Sequence, residues 1–285
     1  MKLDNIGKWK VKVLETGDFK LDGGAMMGSV PKVLWSKTNK SDAQNRINLA
    51  MRCLLLDDGT NIVLIETGIG DHCSPKFKEI FEIKQSKNAL SNALNKYDYS
   101  ISDITHIVLT HLHFDHVGGA VKKNKNGDME PKFPNAKYYI SKKNWDTALN
   151  PSPRDSASYL KENFLCLKDY GVLHLIPENT EILPGLDTYI VNGHTLGQQL
   201  VVVSDKGNTL VFCSDLIPLK SHLKLPWIMG YDLNASLTLS EKKKFLNLAV
   251  DREWILFFYH DPNVVAVQIK KIENFYEVIS EYRRE

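Results

Sequence analysis

The chain has no apolar run approaching the roughly 18 residues that a membrane helix requires, so no membrane span is expected. Its first residues, MKLDNIGKWKVKVLETGDFK, alternate charged with apolar side chains and hold no hydrophobic core of signal-peptide length. Cysteine is scarce and scattered. Cys53, Cys73, Cys166 and Cys213 form no Cys-x-x-Cys pair, and in a chain of 285 residues they read as reduced thiols of a cytoplasmic protein rather than a disulfide framework. Charge of one sign is missing too: 36 basic and 34 acidic residues leave a net charge of +2, which argues against a nucleic-acid partner. No Pro/Gly/Ser-rich linker and no low-complexity segment divides the sequence, so one domain over residues 1–285 is expected.

What is present is a series of short apolar runs punctuated by turn signals. MRCLLLDDGTNIVLIETG (Met51 to Gly68) reads as two strands around an Asp-Asp-Gly turn. Pro75 to Lys96 carries a partial helical stripe, and Ile107 to Leu109 is strand-like. Lys122 to Pro134 is a polar, exposed excursion. Further on come a strand at Lys137 to Ile140, a Ser-capped helix at Ser141 to Leu149, and a helix at Ser156 to Tyr170 ending at Gly171. Strands at Thr188 to Val191, Gln199 to Val203 and Leu210 to Cys213 follow, then a helix over Ser240 to Val250 and the apolar run Trp254 to Tyr259. Strands and helices mix without strict alternation, as in an α/β domain with sheets packed inside helices.

One stretch stands apart. THLHFDHVGG, Thr110 to Gly119, places three histidines and an aspartate within six positions, directly after Ile107–Leu109. A surface turn can carry such residues without purpose, and a lone His or Asp at a strand end is usually a packing or capping residue. Three further positions alter that balance. His194 follows TYIVNG, Asp215 follows LVFCS and His260 follows WILFFY, so each closes a strand-like run. His111 and His113 project to one side because side chains alternate along an extended chain, while Asp115 and His116 sit in a loop turning toward Gly118-Gly119. Seven nitrogen and oxygen ligands suit two divalent ions, each with an open position, better than one closed structural zinc. The other histidines (His72, His106, His174 and His222) lack such a setting.

This pattern resembles the metallo-β-lactamase-fold hydrolases over nearly the whole chain. The resemblance implies an α/β fold of the four-layer αββα sandwich type, made of two similar halves in which VLIETG and VFCSD match. It also implies that His111, His113 and His194 hold one metal, that Asp115, His116 and His260 hold the other, and that Asp215 bridges. LDGGAMMGSVPKVLW (Leu21 to Trp35), MGYDLNASLTLS (Met229 to Ser240) and FFYHDP (Phe257 to Pro262) are similar to the branch holding quorum-quenching N-acyl homoserine lactone lactonases and methyl-parathion-hydrolase-like enzymes. That branch implies a small-molecule lactone or ester substrate and a homodimer burying part of the N-terminal stretch.

In such a site two ions share a hydroxide formed from water whose pKa they lower. A carbonyl oxygen coordinates one ion, and Asp115, besides being a ligand, passes a proton to the departing alkoxide. No serine or cysteine nucleophile is needed, so Cys213 and Ser214 read as structural. Zinc is the default metal, and Mn, Co or Fe fit the same ligands. The leading expectation is therefore a dinuclear metal-dependent hydrolase that opens lactone rings, N-acyl homoserine lactones first; the alternative is an aryl ester or organophosphate triester hydrolase using the same site. A nuclease is disfavoured by the balanced charge, a β-lactamase by the extra aspartate in HxHxDH, and a flavin-coupled role by chain length. A metal-loaded binding protein without turnover uses the same ligands.

Around the ligands, Met26, Met27, Phe114, Trp227, Met229 and Tyr231 are candidate substrate contacts, with Trp35, Leu225 and Ile228 as further wall. Each has a second reading as core or dimer interface, and Gly23–Gly28 is either a flexible turn or an apolar lip over the mouth of the site. Two departures from the family pattern bear on the chemistry. Glu66 replaces the usual aspartate after the early strand, and Pro218 stands where some lactonases have a tyrosine, leaving Tyr231 or Tyr259 to take that part.

Overall fold

A computed structural model describes Leu3 and residues 5–284; Met1, Lys2 and Asp4 of the N-terminal stretch, and Glu285, lie outside them. The first half contributes strands β1 (Asn5–Ile6), β2 (Trp9–Asp22), β3 (Arg46–Asp57), β4 (Ile62–Ile65) and β5 (His106–Val108). A separate two-stranded hairpin of β6 (Val121–Lys123) and β7 (Met129–Pro131) follows, then β8 (Lys137–Ser141) and β9 (Leu173–Ile176). Apart from the hairpin these form one seven-stranded sheet, ordered β1-β2-β3-β4-β5-β8-β9. The second half builds another seven-stranded sheet in plain sequence order. Its strands are β10 (Glu181–Leu183), β11 (Leu186–Val191), β12 (Gln198–Asp205), β13 (Asn208–Phe212), β14 (Ile255–Phe257), β15 (Val264–Ile272) and β16 (Phe275–Arg283). Each sheet changes from antiparallel to parallel pairing at one place, β4·β5 and β13·β14, and metal-ligand candidates leave from those strands.

Strand periodicity sorts the apolar residues into layers. In β3, Leu54 and Leu56 face the core between the sheets, whereas Cys53 and Leu55 face the helices. The inter-sheet core joins Trp9, Phe19 and Val63 of one sheet to Val201, Phe212 and Phe257 of the other. Helices α4 (Ala89–Asn95), α6 (Lys142–Leu149) and α7 (Leu165–Asp169) cover the first sheet, and α8 (Ala235–Asp251) covers the second through Phe245, Leu246 and Ala249. The result is the expected αββα sandwich. Among the described residues no helix is long and apolar enough to cross a membrane.

Several local expectations are met: the hairpin β3–β4, the Ser141 cap accepting from the Asn144 amide at 3.4 Å, and the second-half strands. Others are corrected. Pro75 to Lys96 is not one helix but α3 (Pro75–Ile80) and α4, because the backbone between them is taken by β2: Asp18 and Lys84 exchange both hydrogen bonds, at 3.0 and 2.7 Å. Ser156 to Tyr170 breaks into two 3-10 turns and α7. The polar Lys122–Pro134 excursion is the β6–β7 hairpin, and its Phe133 is buried. The N-terminal Gly23–Gly28 turn is largely α1 (Gly23–Met27), capped by Asp22, and is followed by α2 (Lys32–Trp35).

Asp115 and His116 lie on a single helical turn, α5 (Phe114–Val117), rather than in a loop. The two glycines after it serve close approach rather than a turn conformation. A Cβ on Gly118 would lie 2.0 Å from the Ile69 carbonyl oxygen, and one on Gly119 would lie 2.1 Å from that of Thr67. The backbone after β4 is thereby pressed against α5, with Thr67 N–H and Oγ1 both donating to the His116 carbonyl at 3.0 and 2.9 Å. Replacing Gly119 by Ala is expected to lower stability by about 2–3 kcal/mol, since backbone blocks the new methyl. Denaturant titration of the metal-loaded protein measures this, and an unchanged midpoint would refute the packing argument.

Candidate metal centre

All seven sequence-predicted ligands converge. His111, His113, His194 and Asp215 form one group, and Asp115, His116 and His260 another; within each, the donor atoms lie within 4.8 Å of one another. Asp215 stands between them. Its Oδ2 lies 3.3 Å from His194 Nε2 and 3.8 Å from His111 Nε2, while its Oδ1 lies 3.5 Å from His116 Nε2 and 3.4 Å from His260 Nε2. Asp115 Oδ2 lies 3.4 and 3.7 Å from the His260 and His116 Nε2 atoms.

Local sequence explains how each donor arrives. Past β5, Leu112 turns into the helix-side core and takes a hydrogen bond from its amide to Asn144 Oδ1 at 3.0 Å, so its neighbours His111 and His113 face inward. Asp215 leaves β13 through Ser214, whose φ of 46° is held by hydroxyl contacts to Thr110 Oγ1 at 2.7 Å and Gln198 Nε2 at 2.9 Å. His194 follows Gly193, where a Cβ would meet Thr238 of α8 at 2.3 Å, so glycine lets the loop sit on that helix. Glu241 of α8 accepts from the Asn192 and Gly193 amides at 2.9–3.1 Å and fixes the same loop.

The imidazoles are oriented from outside. Nδ1 of His194 meets Asp232 Oδ1 at 2.9 Å, Nδ1 of His260 meets the Ala50 carbonyl at 3.1 Å, and Nδ1 of His111 meets Thr110 Oγ1 at 3.0 Å. Glu66 Oε2 lies 3.5 Å from His116 Nδ1, and its Oε1 accepts from the Thr110 amide at 2.7 Å. The longer glutamate thus faces His116 without a hydrogen bond between them, and its carboxylate's one hydrogen bond among the described residues goes to the Thr110 amide. In these four histidines Nε2 is left for the centre, as metal-ligating histidines require. His113 is turned the other way, with Nδ1 at 3.0 Å from His111 Nε2 and 3.2 Å from His194 Nε2.

The donor set fits divalent cations. His116 Nε2 and Asp215 Oδ1 are buried without a hydrogen-bond partner, and so is Glu66 Oε2. The ion-pair partners of four buried carboxylates, Glu66, Asp115, Asp215 and Asp232, are imidazoles alone; among the described residues no Lys or Arg forms an ion pair with them. Electrostatics carry the same message. Burial opposes charge on His116, yet the Asp115, Asp215 and Glu66 carboxylates push its pKa well above the usual value. Burial together with the neighbouring imidazoles drives His111 and His113 well below theirs. Such a cluster lacks positive charge, and two His/Asp groups sharing one carboxylate suit two divalent ions.

All seven candidate ligands are buried, but His113, Asp115 and Asp215 retain 6–8% exposure whereas His111 and His116 have none. Phe114, at 8% exposure, packs on Phe77 and Phe81 at ring-centroid distances of 5.0 and 5.1 Å. Met26, Met27, Trp35, Trp227 and Met229 belong to the same apolar cluster; Met26 and Met27 are fully enclosed within it. Tyr231 is exposed, and its phenol is pushed up to about 12 by partial burial and by the carboxylates of Asp22 and Asp115. Tyr259 is committed elsewhere: its hydroxyl donates to the Asp115 carbonyl and its ring stacks on His116 at 4.4 Å. Pro218 is buried.

Sequence reasoning missed Asp232, Glu241 and Tyr159, whose ring meets His113 edge-on at 4.7 Å. Asp232 lies within MGYDLNASLTLS, where its setting before a helix is the one signal the sequence offers.

Comparison with known proteins agrees with this geometry. The family model described as the metallo-beta-lactamase superfamily matches residues 52–260. The chain is 27% identical over 229 residues to an N-acyl homoserine lactonase from Bacillus cereus, covering 76% of this chain and 83% of that protein. It is 24% identical over 257 residues to a probable metallo-hydrolase from Mycobacterium tuberculosis, covering 77% and 78%. A solved probable metal-dependent hydrolase from Staphylococcus aureus superposes with a TM-score of 0.90 at 27% identity, over 99% of both chains. A dizinc quorum-quenching lactonase in complex with a product shares the fold, with a TM-score of 0.81 at 22% identity, over 99% of this chain and 97% of that one. The chain belongs to the metallo-beta-lactamase superfamily and is a metal-dependent hydrolase.

Proposed function

We propose that the protein opens the lactone ring of N-acyl homoserine lactones in a cytoplasmic, dizinc, homodimeric form. The observation that carries the reading is the pair of ligand groups that both approach Asp215, with the apolar Phe114 between two of the ligands in sequence and in the same core cluster as Trp227 and Met229. The naming of the Bacillus cereus relative supports the substrate. Four unpaired thiols suit a reducing compartment, and Val33 and Leu34, exposed on α2, leave apolar surface in the N-terminal stretch for a second copy.

When bound, the ions lower the pKa of water and polarise the carbonyl. The chain's own residues do the rest. The Nδ1 partners Asp232, Ala50 and Thr110 fix His194, His260 and His111 before substrate arrives, so these rings need no reorganisation during reaction. Asp115 takes the proton released as water adds to the carbonyl carbon and delivers it to the alkoxide oxygen when the ring C–O bond breaks, leaving the ring-opened acid and alcohol. Tyr231, at the exposed rim and within the field of Asp115, donates a hydrogen bond to the acyl amide or ring carbonyl. Phe114, Trp227 and Met229 receive the acyl chain, backed by Met26 and Met27.

Asp115→Asn is expected to lower kcat by about 100-fold or more with both metals retained. Unchanged hydrolysis at full metal content would remove Asp115 from the reaction. A substrate panel separates lactonase from esterase: kcat/KM for a long-chain homoserine lactone should exceed that for a simple aryl ester and for paraoxon, and equality would favour the ester or triester reading. Tyr231→Phe should cost about tenfold in kcat/KM, the worth of one hydrogen bond, without loss of metal; full activity would exclude the phenol.

A further inference from the structure

The chain leaves the centre at Asp215 and returns to it at Asp232, which holds His194. Between them the backbone forms no strand and no α-helix, only 3-10 turns such as Lys220–Leu223. This segment carries Trp227, Met229 and Tyr231. An irregular segment must find partners for its polar backbone outside regular structure. Three of its carbonyls converge on one side chain: Lys242 Nζ donates to His222 O at 3.1 Å, Lys224 O at 3.2 Å and Trp227 O at 2.5 Å.

Lys242 is enclosed at 1% exposure and, among the described residues, forms no ion pair with any carboxylate. Buried lysines ordinarily have such a partner, because an unpaired buried charge is costly. Here the ammonium's three N–H donors meet three acceptors. Burial pulls its pKa down to about 7, and the Asp232 carboxylate pulls the other way. The neighbouring Glu241 clamps the His194 loop, so two consecutive residues of α8 hold both chain segments that meet at His194 and Asp232. The grip extends further. His222 Nε2 meets the Met26 carbonyl at 2.9 Å, the Gly230 amide donates to Ala25 O at 2.7 Å, and Arg154 donates to the Gly230 carbonyl.

We propose that Lys242 is a positioning residue that sets acyl-chain selectivity: by drawing three carbonyls to one point it fixes residues 221–231, and with them the apolar wall, relative to the metal centre. The inference rests on the substrate reading above, because the wall matters only to a substrate with an apolar tail. It assigns Lys242 no contact with substrate or metal.

The test uses the metal-loaded enzyme and Lys242→Met, which keeps length and removes the donors. For N-decanoyl homoserine lactone KM should rise at least tenfold, for N-butanoyl homoserine lactone less than threefold, with kcat for both and metal content little changed. An equal loss for both chains, a loss confined to kcat, or an unchanged KM ratio overturns the proposal. Arg154→Ala, at an exposed position, releases the Gly230 carbonyl of the same segment and should move the KM ratio in the same direction by a smaller factor; if Lys242→Met is insoluble, an unmoved ratio here overturns the proposal. Hydrogen exchange provides the substrate-independent readout. Amides of His222, Lys224 and Trp227, which donate within the segment, should exchange at least tenfold faster in the variant while the β13 and β14 amides stay protected. If wild type turns over neither lactone, the substrate reading fails alone, and the exchange result still decides whether Lys242 holds the segment.

Discussion

Six imidazole and carboxylate side chains are held around the Asp215 carboxylate, and buried donor atoms such as His116 Nε2 and Asp215 Oδ1 have no hydrogen-bond partner among them. Imidazole nitrogens of His111, His113 and His194 approach to 3.0–3.2 Å. A fold that keeps such an arrangement must supply the holding force from elsewhere. It comes from the two sheets meeting face to face, with four candidate ligands on the segment from β5 into α5, the other three past β11, β13 and β14, and most of the imidazoles meeting a fixed partner at Nδ1. Backbone strain is spent at the same place. Glu66 and Ser214, the non-glycine residues at φ 66° and 46°, follow β4 and β13, the corresponding strands of the two halves. Buried hydrogen bonds on both over-determine the conformation.

The seam between the sheets is therefore polar where it meets the centre and apolar elsewhere. Thr110 and Ser214 link hydroxyl to hydroxyl across it, and the Gln199 amide donates to Thr110 O at 2.8 Å. Deeper in, Arg52 of β3 is fully buried and donates to the carbonyls of Phe258 and Asp261 at 3.0 and 2.9 Å, on either side of His260. Its other donor reaches Glu15 at 2.6 Å. A guanidinium presents several donors in a rigid plane, so it can pin an irregular backbone. The last ligand is thereby registered against the first sheet, and the Ala50–His260 backbone and ring contacts follow from that registration.

How much of this was legible in the sequence depends on how local each cause is. The ligands were legible because His and Asp at strand ends are chemically conspicuous, and HLHFDH concentrates them. Strand layers were legible through period two, as in β3. The helices that failed did so for non-local reasons: nothing within Pro75–Lys96 announces that Lys84 will be taken by Asp18, far away in sequence. Outer partners were hidden for a similar reason. Asp232 and Glu241 are two acids among 34, and only the tertiary fold distinguishes them. Gly118 and Gly119 were noticed and misassigned, because a close approach and a tight turn leave the same glycine in the sequence.

Rigid and irregular parts divide the work. Every metal ligand sits at or within a few residues of a strand or on α5, so its geometry is inherited from sheets that share one core. Trp227, Met229 and Tyr231, proposed above as substrate contacts, sit on backbone with no strand ladder to fix it. Variation there is tolerable only if it is not transmitted to His194 and Asp215 at the ends of the segment. Glu241 and Lys242 on one turn of α8 meet that requirement separately, one holding the ligand loop and the other the wall. A long helix buried against the second sheet through Phe245 and Leu246 is stiff enough to serve as common reference for both. The loop before His194 and the irregular segment before Asp232 are thus referred to the same helix through different side chains, so a change in one need not disturb the other.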